Sequence, residues 1–244
     1  MSNLRYNVHL NYGPNIEEAY RVLKTNIQYY GMESKIKRLV VTSSGHGEGK
    51  TSTAINLCIS FAQSGTRTLL IDADLHKPML VKHLGSNSFI GLTNYVSGNA
   101  TIDEIIHSTS LENFSFITCG PKPLKSDAIL RSAKFAELLE LMEQSFDLIV
   151  IDTPSLGKHI DAAILASQAD GALIVIESNR TDYRNVATAR EQLEKVGAKI
   201  IGVVLNKMDK KYYKIYTNHY TDHGTGKKFS NGWFNSFKDK GDYL

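Results

Sequence analysis

The chain has 244 residues, a formal net charge of +3 and a hydrophobic fraction of 42%. This length suits one α/β domain with a short tail, and the apolar fraction is enough for a full core. The small charge gives no argument for a nucleic-acid partner, and we expect none. The two cysteines, Cys58 and Cys119, fit no metal-binding or redox spacing, which indicates a cytosolic protein without disulfides.

No apolar run approaches the ~18 residues that a membrane span needs, and the first residues do not have the pattern of a signal peptide. We therefore expect no membrane span. Any association with a membrane would then have to occur through a partner.

In chain order, hydrophobic periodicity and turn residues predict alternating helices and strands. These are helix 16–30 with Asn15 as its cap, strand 38–42, helix 50–64, strand 68–71, a helical stretch ending near 84, two short helices within 91–106 with Thr101 capping the second, strand 114–118, helix 127–144, strand 148–151, helix 160–168, strand 171–176, helix 182–196 and strand 199–205. Such alternation predicts a doubly wound, mostly parallel sheet with helices on both faces. We place an irregular arm at 1–14, the α/β domain at 15–208 and a mobile tail, rich in Tyr and Lys, at 209–244.

Residues 38–53, RLVVTSSGHGEGKTST, predict a strand, a glycine-rich loop and a helix. Glycines let backbone N–H groups approach a polyphosphate, and a helix N-terminus adds its positive dipole end. Lys50 can reach the β- and γ-phosphates, and the Thr51 hydroxyl can ligate Mg²⁺. The pattern in residues 44–51, here called the phosphate loop, is G-x-x-x-x-G-K-[ST] with Ser44 at the first glycine. The predicted nucleotide-binding residues in and beside this loop are Ser44, Gly45, Gly47, Glu48, Gly49, Lys50, Thr51 and Ser52.

Carboxylates follow two of the predicted strands. Asp72 and Asp74 end one strand and point the same way, and Asp152 ends another. Because the carboxyl ends of parallel strands meet at one edge, these side chains should lie beside the phosphate loop. Thr51 and Asp152 suit Mg²⁺, directly or through water, and Asp72 and Asp74 are further metal candidates. We predict that Lys50 neutralises phosphate, that Asp72 is the catalytic base and that Asp74 supports the metal or the acceptor.

Three segments together resemble the bacterial tyrosine kinases of the CpsD/CapB type, which are P-loop relatives of the ParA and MinD ATPases. The segments are TSSGHGEGKTS (42–52), LLIDADLHKP (69–78) and LIVIDTPS (148–155), and the resemblance extends over about 15–209. It implies an ATP- and Mg²⁺-dependent protein-tyrosine autokinase that regulates capsular or exopolysaccharide synthesis and export. It also implies that Asn206, at the end of the last strand, lies near adenine.

The resemblance extends to a subunit-contact motif, E-x-x-R-x-x-R, on the first helix. Glu18 and Arg21 match it, and Lys24 replaces the last arginine. Spacing alone fits a solvated charged face, whereas the resemblance implies packing into a ring. Lys24 cannot make the bidentate contacts of arginine, so the ring could be weaker. His76 and Ser155 also depart from the family, which has Arg and Pro there.

The resemblance gives the tail a role as the substrate of a neighbouring subunit. The candidate phosphorylation sites are Tyr212, Tyr213, Tyr216, Tyr220 and Tyr243. A spacing of four between three of them also fits a helical stripe, and the two interpretations are compatible. The implied partners are copies of the chain in a ring, a membrane-embedded activator of the polysaccharide co-polymerase type and a protein tyrosine phosphatase. The implied location is the cytoplasm, with recruitment to the inner face of the membrane.

Three other functions fit parts of the sequence. A ParA/MinD-like ATPase switch usually has a second lysine where this chain has Gly45. A GTPase would use residues 206–209, NKMD, to bind guanine, but Asp152 does not begin the D-x-x-G motif that a GTPase also has. A nucleotide-bound scaffold without catalysis stays open as the third alternative.

Overall fold

The computed structural model describes Tyr6 and residues 14–33, 35–85, 89–157 and 159–209. The five candidate tyrosines of the tail lie outside these ranges, as does most of the predicted N-terminal arm, so both segments stay predictions. The chain divides between Lys207 and Met208 into two units, and the elements below belong to the first. Within the described ranges, no helix combines the length and the apolar character that a membrane crossing requires.

Nine helices and seven strands are found in the described part of the chain. In order they are α1 (Pro14–Glu33), β1 (Arg38–Ser43), α2 (Lys50–Ala62), β2 (Thr68–Asp72), α3 (Leu80–Leu84), α4 (Leu92–Val96), α5 (Ile102–Ile105), β3 (Ile106–Ser108), β4 (Phe114–Ile117), α6 (Ser126–Leu130), α7 (Ala133–Ser145), β5 (Leu148–Asp152), α8 (Asp161–Ala166), β6 (Gly171–Glu177), α9 (Tyr183–Lys195) and β7 (Ile200–Asn206).

The strands form one sheet in the order β3-β4-β2-β5-β1-β6-β7. All neighbours are parallel except β3 and β4, which confirms the predicted doubly wound architecture. Side chains of β5 alternate between two apolar clusters, with Ile149 and Ile151 in the cluster that contains α7 and α8, and Leu148 and Val150 in the one that contains α2. The sheet is therefore buried on both faces, as the continuous apolar run of β5 predicts.

Several local predictions differ from the structure. Helix α1 begins at Pro14, so Asn15 is inside the helix and is not its cap; the fixed φ of proline suits the first helical position. The predicted helix 127–144 is two helices, because the Ser132 side chain accepts a hydrogen bond from the Phe135 N–H and caps a second helix. The three-residue strand β3 was not predicted, because it is too short to show an alternating pattern. The Thr101 cap of α5 is confirmed, with Glu104 completing a capping box.

We predict that Leu138→Ala destabilises the fold by about 2–5 kcal/mol, because it leaves a cavity in a close-packed core. Leu138 on α7 is fully buried in the cluster that also contains Ile149. Denaturant unfolding measures the change, and Leu124→Ala is the matched control because Leu124 is fully exposed. Equal effects of the two substitutions would contradict the assignment of α7 to the core.

Candidate active site

The phosphate loop connects β1 to α2, and its shape requires glycine. Gly47 and Gly49 have φ values of 80° and 95°, which non-glycine residues rarely adopt. A Cβ atom on Gly49 would also collide with the side-chain amide of Asn206. Lys50 and Thr51 follow as the first residues of α2, so the loop ends at a helix N-terminus, the kind of position that binds phosphate.

Glu48 holds the loop in shape from within. Its buried carboxylate accepts hydrogen bonds from the Gly45 N–H at 2.7 Å and from the Ser44 hydroxyl at 3.0 Å. It also accepts one from the hydroxyl of Thr181, which lies between β6 and α9. The prediction that Glu48 binds nucleotide depended on its place in the motif; the structure directs its carboxylate to protein groups. Thr181 was missed because no local pattern relates it to a residue 133 positions away.

Two residues at the end of β7 donate hydrogen bonds to the backbone of the phosphate loop. The Asn206 amide donates to the carbonyl oxygen of Glu48 at 2.9 Å. The Lys207 ammonium donates to the carbonyl oxygen of Gly47 at 2.7 Å and to the Glu177 carboxylate at 2.8 Å. Asn206 therefore lies against the predicted nucleotide site, and its contact with adenine stays a prediction. Lys207 was missed as a supporting residue, although the NKMD pattern contains it.

Lys50 and Asp74 meet across the site. The Lys50 Nζ lies 3.3 Å from Asp74 Oδ2, and less than a tenth of each side chain is exposed. The other oxygen of Asp74 accepts the Lys77 N–H at 2.9 Å. The loop after β2 thus brings a carboxylate against the lysine that we predict to neutralise phosphate.

Asp72 lies beside them but is held by backbone groups. Its Oδ1 accepts the Asp74 N–H at 3.2 Å, and its Oδ2 accepts the N–H of Leu80, the first residue of α3, at 3.2 Å. Burial, and then the charge of Asp152, raise the pKa of Asp72 well above its ordinary value, against the Leu80 hydrogen bond. In this arrangement Asp72 shapes the β2–α3 connection. Its role as the catalytic base stays a prediction, and Asp74 is the carboxylate that contacts Lys50.

Asp152 is fully buried, and neither of its carboxylate oxygens has a hydrogen-bond partner of normal geometry among the described residues, although the Thr51 hydroxyl lies close enough to influence its pKa. Burial raises the pKa of Asp152 to about 7, although the Lys50 charge and the nearby Thr51 hydroxyl oppose the shift. Asp152 lies opposite Asp72 in the parallel register of β5 and β2. A buried carboxylate is unfavourable when it is charged, and the Lys50 ammonium, which also contacts Asp74, compensates Asp152 only in part.

This donor set fits Mg²⁺ in the presence of phosphate. Within the described ranges, no cluster of three or more His, Cys, Asp and Glu side chains is arranged to hold a metal by itself. Mg²⁺ in phosphate-binding sites keeps several waters and takes one or two carboxylates plus phosphate oxygens. Asp152 and the Thr51 hydroxyl could supply the protein ligands for such an ion.

His76, where the resembling family has Arg, connects two neighbouring elements. Its Nε2 lies 2.6 Å from Asp161 Oδ2 at the start of α8 and 3.1 Å from the Ser126 hydroxyl at the start of α6. Its ring stacks on His159 with the centroids 3.6 Å apart. Asp161, Ser126 and His159 were missed, because only the fold brings these positions together.

Four further predicted residues, one on α2 and three on α1, make none of the contacts described above. Ser52 is in the first turn of α2 and is partly exposed. Glu18 and Arg21 form an ion pair with each other on α1, with about half or more of each side chain exposed, and Lys24 is half-buried on the same helix. Their contact with a second subunit stays a prediction.

We predict that Asp152→Asn stabilises the nucleotide-free protein at pH 8 by about 2–4 kcal/mol, because the amide removes a buried negative charge and each unit of pKa shift corresponds to about 1.4 kcal/mol. Folding raises the pKa of Asp152 from 3.8 to about 7. The wild-type protein therefore has its full stability below pH 3.8, where Asp152 is protonated in both the folded and the unfolded state. It loses stability as the pH rises to and through 7, where the buried carboxylate becomes charged. The gain should therefore be larger at pH 8 than at pH 5 in denaturant unfolding. An equal gain at both values would contradict the buried charge.

Comparison with known proteins identifies relatives along most of the chain. A family model described as an AAA domain matches residues 36–206. The tyrosine-protein kinase CpsD of Streptococcus agalactiae is 40% identical over 206 residues, which cover 83% of this chain and 89% of that protein. The crystal structure of the chimerical protein CapA2B2 aligns with a TM-score of 0.79 and 30% identity, covering 83% of this chain and 88% of that one.

A more distant likeness concerns the fold alone. The septum site-determining protein MinD from Pyrococcus horikoshii OT3, solved as a complex with Mg-ADP, aligns with a TM-score of 0.61 and 22% identity. The alignment covers 73% of this chain and 76% of the MinD chain. A shared fold does not carry a shared function.

From its motifs, its P-loop fold and its identity with CpsD over most of both chains, the chain belongs to the CpsD/CapB family of bacterial tyrosine-protein kinases.

Proposed function

We propose that the chain is an ATP- and Mg²⁺-dependent protein-tyrosine autokinase that regulates capsular or exopolysaccharide synthesis and export. The structural observation that carries the ATP- and Mg²⁺-dependent part of the proposal is the buried carboxylate of Asp152 beside Lys50 and Thr51, which has no hydrogen-bond partner of normal geometry among the described residues. A site with this arrangement favours a cation together with the phosphates that the loop can bind. The family membership supports the kinase activity.

The residues act mainly by positioning and by neutralising charge, which is what phosphoryl transfer requires. Backbone N–H groups of the phosphate loop would bind the phosphates, and Lys50 would neutralise them. Asp152 and Thr51 would hold Mg²⁺, which supplies further neutralisation of the β- and γ-phosphates when bound.

The acceptor side of the site would depend on the two aspartates after β2. If Lys50 turned to a phosphate, Asp74 would lose its contact with that ammonium group. Asp74 would then be available to the metal or to the acceptor hydroxyl. For Asp72 to act as the base, it would have to give up a backbone hydrogen bond to Leu80 or Asp74.

We infer that the acceptors are tail tyrosines of a neighbouring copy and that the copies form a ring through Glu18, Arg21 and Lys24. A tethered tail has a millimolar effective concentration, so weak recognition is enough. We also propose a separate membrane-embedded activator of the polysaccharide co-polymerase type, which would recruit the chain to the inner face of the membrane, and a phosphatase that reverses the reaction. That a relative was solved as the chimera CapA2B2 supports a two-component arrangement.

Two variants test whether phosphate is transferred between copies. One carries Lys50→Ala and keeps its tail; the other keeps Lys50 and has all five candidate tail tyrosines changed to Phe. Each variant alone with labelled ATP and Mg²⁺ should give almost no phosphotyrosine. Mixed together, they should label the Lys50→Ala chain, because an active copy then meets an intact tail. Blotting for phosphotyrosine after separation of the two chains by size tags is the measurement.

The wild-type chain, incubated alone, is the positive control. If the Lys50→Ala variant labels itself, the assigned role of Lys50 is wrong. If the wild-type chain is labelled and the mixture is not, transfer occurs within one chain. If nothing is labelled while ATP is bound, the scaffold alternative replaces the kinase.

A further inference from the structure

The loop between β2 and α3, residues 73–79, brings a second lysine to the phosphate loop. Lys77 Nζ lies 2.9 Å from Nε2 of His46, which is the third residue of the phosphate loop. An ammonium group can only donate, so this imidazole nitrogen accepts, and His46 is then neutral with its proton on Nδ1. Both side chains are exposed, so a ligand of the loop could reach them.

The backbone at Lys77 and the residue before it are held by contacts with other elements. Its N–H donates to Asp74 at 2.9 Å, and Asp74 contacts Lys50 on the other side. The preceding residue, His76, is held by Asp161 at 2.6 Å and by the ring of His159. Neighbouring side chains of one loop therefore extend in opposite directions, His76 toward α8 and Lys77 toward the phosphate loop. These contacts hold the backbone from which the Lys77 side chain extends to His46.

A comparison with Lys207 distinguishes a supporting lysine from one that can bind a ligand. The Lys207 ammonium contacts the Glu177 carboxylate and a backbone carbonyl oxygen, so it already has an anionic partner. The acceptor of Lys77 in the described residues is a neutral imidazole. A phosphate oxygen would be a stronger acceptor, because it carries a negative charge that attracts the ammonium group, whereas the imidazole is neutral.

We propose that Lys77 exchanges His46 for the γ-phosphate when a nucleoside triphosphate binds, and that it thereby makes the site prefer a triphosphate over a diphosphate. Lys50 and Lys77 would then contact the phosphates from two loops. The inference depends on the proposed ATP-dependent function for the identity of the nucleotide.

The test compares Lys77→Gln with Lys82→Gln in the full chain. Lys82 is exposed on α3, five residues away, and its substitution changes the net charge equally. Calorimetry in the presence of Mg²⁺ measures the affinities for ADP and for a non-hydrolysable ATP analogue. Lys77→Gln should weaken binding of the analogue about tenfold to a hundredfold and leave that of ADP within about twofold. Lys82→Gln should change neither affinity.

Lys77→Arg keeps the charge and should retain most of the preference for the triphosphate. The proposal is overturned if Lys77→Gln weakens both nucleotides equally, which would indicate a role in loop shape, or if it weakens neither. It is also overturned if Lys82→Gln has the same effect, since net charge alone would then explain the loss. These affinities are measured without an acceptor, so a failure to detect phosphotyrosine would contradict the kinase and not this assignment.

Discussion

The site depends on the position of β5 between β1 and β2. In this parallel register Asp152 lies opposite Val41 on one side and Asp72 on the other. The phosphate loop after β1 and the carboxylates after β2 and β5 must therefore emerge at the same edge of the sheet. The packing that buries both faces of β5 also removes Asp152 from water, which raises its pKa. The core thus creates the unfavourable charge that a metal would compensate, and such local destabilisation is typical of functional sites.

The phosphate loop is held by residues far along the chain. Thr181 contacts Glu48 from the β6–α9 connection, and Asn206 and Lys207 contact loop carbonyls from the end of β7. The loop geometry is therefore sensitive to the two strands at one edge of the sheet. A change at the end of β7 could alter nucleotide binding without a direct contact to phosphate.

The parts of the site that could be predicted are those encoded by adjacent residues. The glycines with Lys50 and Thr51 form a local pattern, and Asp152 follows an apolar strand whose ends the sequence shows. The backbone contacts of Asp72 could not be predicted in the same way, because its partner Leu80 lies beyond a turn. The pairing of His76 with Asp161 spans 85 positions and depends on tertiary structure. For the fold, the alternation of elements was predictable, whereas the Ser132 cap that divides 127–144 competed with a continuous helical pattern.

The central claim is that Asp152 binds the magnesium ion of a nucleotide complex, and the most direct measurement is the dependence of ATP affinity on Mg²⁺. Calorimetry of a non-hydrolysable ATP analogue, with Mg²⁺ and with a chelator, would be carried out on the wild-type chain and on Asp152→Asn. We expect Mg²⁺ to tighten binding to the wild type and to have little effect on the variant, while the affinity in chelator should not fall, because Asn removes a negative charge from the phosphate site. If Asp152→Asn keeps the full enhancement by Mg²⁺, the metal is held elsewhere and the account is wrong.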